Sequence, residues 1–459
     1  MSVTKELADF VVETSFDDLP EEVAEHAKTC ILDWIGVALA GSLEPPSRIM
    51  ASIIKEMGGR EEAAVIGMGF RTSCPNAALA NGVIGHSAEL DDIHEEAIIH
   101  PAAPVMPAAL ATAEAEDGSG KDLITAVTLG YEVEIRIGRA VNPSHYEFWH
   151  PTGTCGTFGA AAAAGKLLGL DEKGMAYAFG IAGTGAAGLV EVFGTMSKPF
   201  NAGRAAMGGV MAALLAKKGF TSSTRILEAE RGYLRATAGA FDIERMTQGL
   251  GSDFEAKKNI FKRHASCGHT HGAIDAVLEI VERHGVKADE ISRILVGTYP
   301  IAVSTAGKRY EPSTADDAKF SLHYCVAAAL IYGKVGLEEF SNEKLALSTI
   351  LDLSKRVEVF VDPEFVNARL GPAKVRINTK NGDEYQSRVE KPKGYPENPL
   401  TKTELETKFK TLSSLVFTNE RIKDLLKTVN NLERMDRVKD LAALICGERT
   451  YLRAREMGW

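Results

Sequence analysis

HPTGTCGTFGAAAAAGKLLGL, residues 150–170, decides the fold. A basic residue precedes proline, and a run built almost wholly from Gly, Ala and Thr follows. Proline is tolerated in a first helical turn but pushes the residue before it out of helical geometry, so His150 is expected on a bend at a helix start. A helix this poor in large side chains lets neighbouring axes come close, which places it at the centre of a bundle. The same device recurs along the chain. His100-Pro101 precedes AAPVMPAALATA, and Lys198-Pro199 precedes FNAGRAAMGGVMAALLAKKG. A looser copy without proline, ASCGHTHGAIDAVLEIV at 265–281, carries His269 and His271 near its start. Free N–H groups and the helix dipole favour anions at such ends. Several of them converging would cradle a molecule with several carboxylates.

The 459 residues exceed what one compact core holds, so two domains are expected. A 45% hydrophobic and 25% charged composition is that of an ordinary globular protein. The net charge of -10 gives no reason to expect nucleic acid or an anionic membrane as partner. Any anion site must therefore be a local basic cluster. The six cysteines show no C-x-x-C spacing. The first residues, MSVTKELADFVVETSF, read as an amphipathic helix rather than a secretion signal. A reducing cytoplasm with free thiols is the expected setting.

Helical periods run through most of residues 1–250, at 2–15, 19–41, 46–58, 75–91, 103–116, 120–141, 154–168, 172–188 and 203–218. One strand-like piece, AAVIG at 63–67, interrupts them. The character changes near residue 287. RILVGTYP and RVEVFVDP read as strands, and AKVRINTKNGDEYQSRVE as two strands turning at Asn381-Gly382. Helical stretches at 271–284, 316–332 and 342–352 lie among them, and helix returns at 402–410, 418–429 and 434–446. The expected architecture is mainly α. A large all-α domain is built from both chain ends, 1–258 and 396–459, with a smaller α+β domain inserted at 259–395.

Four stretches could carry chemistry. HSAELDDIHEEAIIHP, 86–101, crowds His86, Glu89, Asp91, Asp92, His94, Glu95, Glu96 and His100 beside a Gly/Ala helix. Its bland reading is a solvated helix end with capping acids. DDIHEE faintly resembles an acidic magnesium motif, but the second motif such a site needs is missing, as is HExxH, so no metal is expected. In the 147–165 stretch, His150 heads a run with Thr152, Thr154 and Thr157, whose hydroxyls could bind carboxylate oxygens or simply cap the helix. In FGTMSKPFNAGRAA, Lys198 is a carboxylate anchor or a surface lysine, with Asn201 as a cap and Arg204 one turn on. NIFKRHASCGHTHGAIDA, 259–276, carries Lys262, Arg263, His264, Cys267, His269 and His271. Two histidines two apart do not share a helix face, which argues against a metal pair. A lone Cys267 does not fit an iron–sulfur cluster.

Taken in order, CILDWIGVALAG (30–41), ALANGVIGHSAELDDIH (78–94), HPAAPVMPAALA (100–111), GYEVEIRIGRAV (130–141), WHPTGTCGTFGAAAAAGKLLGL (149–170), MSKPFNAGRAA (196–206) and SCGHTHGAIDA resemble the MmgE/PrpD family. That family includes 2-methylcitrate dehydratase, cis-aconitate decarboxylase and iminodisuccinate epimerase. The resemblance implies a helical domain with an α+β lid, a homodimer, no metal or organic cofactor, and a small di- or tricarboxylate substrate. It places Asp91, His100, His150 and Lys198 on catalytic and substrate-contacting positions, and Lys262 on a basic position of the smaller domain. Thr154, Cys267, His269 and His271 are further candidates for substrate binding. The decarboxylases carry histidine where this chain has Cys267, which counts against a simple decarboxylase. The expected reaction is therefore 2-methylcitrate dehydration, with dicarboxylate epimerisation or cis-aconitate decarboxylation as alternatives. A non-catalytic helical binding protein is disfavoured, because Asp91, His100, His150 and Lys198 occur together.

Overall fold

The computed structural model describes residues 2–308, 311–368 and 370–447. By Cα packing the chain divides into two compact units, Met1–Asn259 with Thr401–Trp459, and Ile260–Leu400. The chain thus leaves the first unit at Asn259 and re-enters it at Thr401.

The first unit begins with α1 (Val3–Glu13), α2 (Glu21–Gly41) and α3 (Pro45–Met57). An antiparallel hairpin follows, β1 (Ala63–Val65) paired with β2 (Phe70–Thr72), so this unit is not wholly helical. Next come α4 (Cys74–Ser87), α5 (Ala102–Ala115), α6 (Gly120–Val141), α7 (Pro151–Leu167), α8 (Glu172–Gly185), α9 (Ser197–Lys217) and the short α10 (Tyr233–Thr237). Every residue of α7 up to Gly165 is buried, as the Gly/Ala composition requires. Close approach is why: a Cβ on Gly82 of α4 would meet the Gly203 Cα of α9 at 2.6 Å, and one on Gly209 would meet Ala160 of α7 at 2.4 Å. Helices α4, α5, α6, α7 and α9 pack on one another as this core.

Three helical expectations within residues 1–250 need correction. Residues 219–258 hold only α10 and short 3-10 turns. Gly219, Gly249 and Gly251 take positive φ there and stop helical propagation. The 75–91 helix ends at Ser87, because Glu89 adopts φ 56. Finally, α9 starts at Ser197, so Lys198 lies inside its first turn and not on a bend before it. Pro199 is still early enough to cost no intrahelical hydrogen bond.

The second unit contains α11 (His271–His284), β3 (Ile291–Thr298), α12 (Pro300–Ala306), α13 (Ala315–Lys319), α14 (Leu322–Tyr332), α15 (Asn342–Leu345), α16 (Ser348–Ser354), β4 (Val357–Val361), β5 (Ala373–Thr379) and β6 (Glu384–Val389). The 316–332 stretch is two helices, because Ser321 leaves helical geometry and caps α14 through the Tyr324 N–H. The sheet order is β4-β3-β5-β6, parallel between β3 and β4 and antiparallel elsewhere. Gly382, at φ 93, makes the β5–β6 turn. Along β5, Ala373, Val375, Ile377 and Thr379 are buried, and α11 packs on β5 and β6. The first unit resumes with α17 (Lys402–Ser413), α18 (Asn419–Asn430) and α19 (Val438–Cys446). All six cysteines are free. Among the described residues no helix is long and apolar enough to cross a membrane.

Candidate functional site

The segment between α4 and α5 builds the site. After Ser87 the backbone turns through two left-handed residues, Glu89 (φ 56) and Ile98 (φ 51). Such values are costly for non-glycine residues and persist where surrounding contacts impose them. Here the contacts are plain. The His94 N–H donates to Ile99 O at 2.9 Å. Asp92 accepts from the Ala102 N–H at 2.9 Å, the Tyr131 hydroxyl at 3.0 Å and the Asn259 amide at 2.8 Å. Burial pushes the Asp92 carboxyl up to about 8. Asp92 is therefore a tether that pins the segment to α5, α6 and the end of the first unit.

Its neighbour Asp91 does the opposite. Asp91 is fully buried, and its Oδ2 lies 2.7 Å from His86 Nδ1 and 3.4 Å from His100 Nδ1. Burial alone would raise this carboxyl. The facing imidazoles of His86 and His100 outweigh it and hold Asp91 well below the usual carboxylate range. The His86 and His100 rings meet edge to face with centroids 4.7 Å apart, and His150 stacks on His86 at 5.8 Å. The Thr152 hydroxyl accepts the His100 N–H at 3.1 Å, tying the start of α7 to the end of the loop. Two histidines thus face one ionised carboxylate, and a third stacks behind one of them.

His150 is the residue just before α7, with extended backbone, as the proline rule requires. Its ring is buried against Phe193, centroids 4.9 Å apart, with Asn201 Nδ2 3.3 Å from Nδ1. Asn201 thus serves His150 from within α9 and does not cap a helix. Burial, then the neighbouring Lys198 charge, holds His150 well below an ordinary imidazole, so it is neutral near pH 7. The Lys198 ammonium is buried, forms an ion pair with Glu89 and sits 5.7 Å from the Phe193 ring centroid. Arg204 donates to the carbonyl oxygens of Gly185, Gly153 and Ala187, clamping the neighbouring helix ends.

The structure therefore brings together Asp91, His100, His150 and Lys198. It adds His86 and Glu89, which sequence reasoning placed in the acidic stretch without singling them out. The Thr154 hydroxyl lies 2.7 Å from His145 Nε2 and is within reach of His150 O, so it belongs to the buried framework and not to this cluster. In the second unit Lys262 is fully buried. The Cys267 N–H donates to Lys319 O at 2.9 Å. His269 Nδ1 lies 2.7 Å from the Tyr299 hydroxyl, whereas His271 Nε2 lies 3.3 Å from Ser266 O. Burial, then His264 and Lys262, holds His271 well below an ordinary imidazole. The two histidines of the HTH triplet thus take different partners.

Chemically, the cluster combines an ionised carboxylate, adjacent imidazoles and an ammonium in a water-poor setting. This is the equipment for moving a proton beside a bound carboxylate. The ligand atoms of His86, Asp91 and His100 also lie within 4.8 Å of one another, a spacing that could hold a metal ion. In the protein as described, Asp91 Oδ2 already faces both ring nitrogens.

Known proteins share this whole arrangement of sequence. The chain matches the MmgE/PrpD N-terminal domain over residues 5–246 and the MmgE/PrpD C-terminal domain over residues 264–434. It is 31% identical over 472 residues to the cis-aconitate decarboxylase-like protein oryM of Aspergillus oryzae, spanning 97% of this chain and 98% of the relative. A cis-aconitate decarboxylase of Aspergillus terreus is 31% identical over 471 residues, 96% of each chain. The alkylcitrate dehydratase phiI of Talaromyces stipitatus is 26% identical over 259 residues, 52% of this chain and 53% of its own length. Two family domains in order, and relatives matched from end to end, show that this chain belongs to the MmgE/PrpD family of lyases.

Proposed function

We propose that this enzyme moves a proton at a carbon beside a carboxylate of a small polycarboxylate, and that cis-aconitate decarboxylation is the first reaction to test. The observation that carries the reading is the Asp91 carboxylate set between His86 and His100, with His150 and Lys198 in the same cluster. The relatives matched over nearly their full length favour decarboxylation over the 2-methylcitrate dehydration expected from sequence.

The chemistry follows from where charge develops. When carbon dioxide leaves, its bonding electron pair stays on the substrate and spreads onto a neighbouring carboxylate. Lys198 and the N–H groups at the start of α7 stabilise that charge best because they are already oriented and buried. One proton then replaces the lost carbon dioxide. His100 delivers it, with Asp91 holding the imidazole and balancing its positive charge. In dehydration or epimerisation the first step is instead removal of a proton, for which the neutral His150 ring is the acceptor.

Cys267 favours a second reading, since the family resemblance implies histidine there for a decarboxylase. Dehydration of an alkylated citrate or epimerisation of a dicarboxylate is that reading. Lys262, Cys267, His269 and His271 are kept as candidate substrate contacts. The experiment is NMR in deuterated water over cis-aconitate, 2-methylcitrate, citrate and small dicarboxylates. Loss of carbon dioxide with one deuterium in the product supports decarboxylation. Water loss or bare exchange points to the second reading, and inertness toward all of them refutes a polycarboxylate lyase.

A further inference from the structure

The ion pair between Lys198 and Glu89 raises a question that the proton chemistry leaves open. Lys198 is only 4% exposed and Glu89 5%. A lysine that anchors a substrate carboxylate already faces a carboxylate of the protein. Glu89 is held there by an unusual backbone. It is the second residue past α4, and its φ of 56 is the left-handed region that glycine prefers. That conformation brings the side chain onto the first turn of α9, 109 residues further along the chain. A helical Glu89 would have extended α4 as its sequence period suggests. The strained turn instead delivers a carboxylate to the ammonium.

The charge count around this point matters. Glu89 and Asp91 are two buried carboxylates in one short segment, and Asp91 is held ionised by its imidazoles. His150 is neutral, with Lys198 pulling its proton affinity down and Glu89 pulling it up. A polyanion entering here meets two negative groups, and the ammonium it seeks already has a partner. Like charges brought together out of water discriminate strongly against a ligand.

We propose that Glu89 is a resident carboxylate that competes with the substrate for Lys198 and so sets how tightly, and how selectively, polycarboxylates bind. In the empty site Glu89 holds the lysine in place. On binding, a substrate carboxylate takes over the Lys198 contact and Glu89 gives way. The same competition returns Lys198 to Glu89 when product leaves. Each additional substrate carboxylate meets the Glu89 charge, so Glu89 weakens tricarboxylates more than dicarboxylates.

The proposal rests on the reading of Lys198 as a carboxylate anchor, and one set of titrations separates the two. Tricarballylate and glutarate, a saturated tricarboxylate and a saturated dicarboxylate, are titrated calorimetrically into the full chain, Glu89→Gln and Lys198→Ala. Glu89→Gln is expected to bind tricarballylate at least tenfold more tightly, with a smaller gain for glutarate, and Lys198→Ala at least tenfold more weakly. If Glu89→Gln melts far below the parent, Glu89→Gly carries the same expectation, since glycine suits φ 56 and also removes the charge. Unchanged or weaker binding in the folded Glu89 variant, with Lys198→Ala impaired, overturns the competition alone. Unchanged binding in Lys198→Ala overturns the anchor beneath it.

Discussion

In the first unit, His86 and His100 approach one buried carboxylate, Asp91, from two sides, and His150 stacks on His86. In the second unit, among the described residues, no carboxylate contact joins two histidines of the 259–276 stretch, and the three rings meet different polar groups. His264 Nε2 lies 2.8 Å from Asp275, whose other oxygen accepts the Lys393 N–H at 2.8 Å. His269 pairs with Tyr299 and His271 with a backbone carbonyl. The residue types are the same, but the wiring differs. Imidazoles that share a carboxylate can exchange a proton with something bound among them. An imidazole whose carboxylate is also tied to the backbone, as at His264, mainly holds a local shape. Residue identity therefore says less about chemistry than whether partners are shared.

The largest expected effects come from splitting this contrast with one substitution on each side. His150→Gln should lower kcat by about 1000-fold or more where the reaction opens with proton removal, because the ring that accepts the proton is lost. Its melting temperature should stay within about 2 °C, since one amide replaces a neutral ring of similar polarity. His264→Gln should do the reverse. Losing a buried, charge-assisted contact to Asp275 costs about 2 kcal/mol, a drop of about 6 °C in the melting of the second unit, with kcat within about threefold. Thermal denaturation and steady-state kinetics on both variants decide it. A His264 variant with the larger kinetic loss would invert the comparison.

Half the story was legible in the sequence. The Gly/Ala runs give the buried helices, α6 and α11 follow their periods from end to end, and Asn381-Gly382 gives the hairpin. His150 sits where its proline requires. The rest depends on long-range contacts that no local pattern encodes. Glu89 carries no signal of its left-handed turn, because glutamate has a high helix propensity and the turn is imposed by the Lys198 contact and the Asp92 tether. His86 looked like one more polar residue at a helix end. Its importance lies in facing Asp91 across that turn, five residues away, a relation no regular helix provides. Lys198 reads as a bend residue only if α9 starts at its proline, and the helix starts two residues earlier. His100 and Thr152, 52 residues apart, meet only because α5 and α7 pack together.

A smaller effect is expected from pH, and it bears on both units. Burial holds His26, His145 and His323 down to about 4, and His150 and His271 well below an ordinary imidazole. The unfolded chain takes up protons on these rings near pH 6.5, while the folded chain does not until near 4 or below. On these rings the unfolded state then binds more protons, so their contribution to stability falls as pH drops from about 6.5 toward 4. These rings lower the melting temperature between pH 7 and pH 5, while Asp92 and Glu132, held up to about 8 and about 7 by burial, are protonated first in the folded chain and oppose that fall. His323→Gln should lose less melting temperature than the parent over this range, and an equal loss would mean that the His323 ring is protonated in the folded protein.

The most direct test of the central claim returns to deuterated water, with Asp91→Asn beside the parent chain. Asparagine keeps the shape but removes the charge between His86 and His100. The parent should place solvent deuterium on a polycarboxylate, and Asp91→Asn, still folded, should do so at least 100-fold more slowly. Equal deuterium incorporation by the two proteins would contradict it.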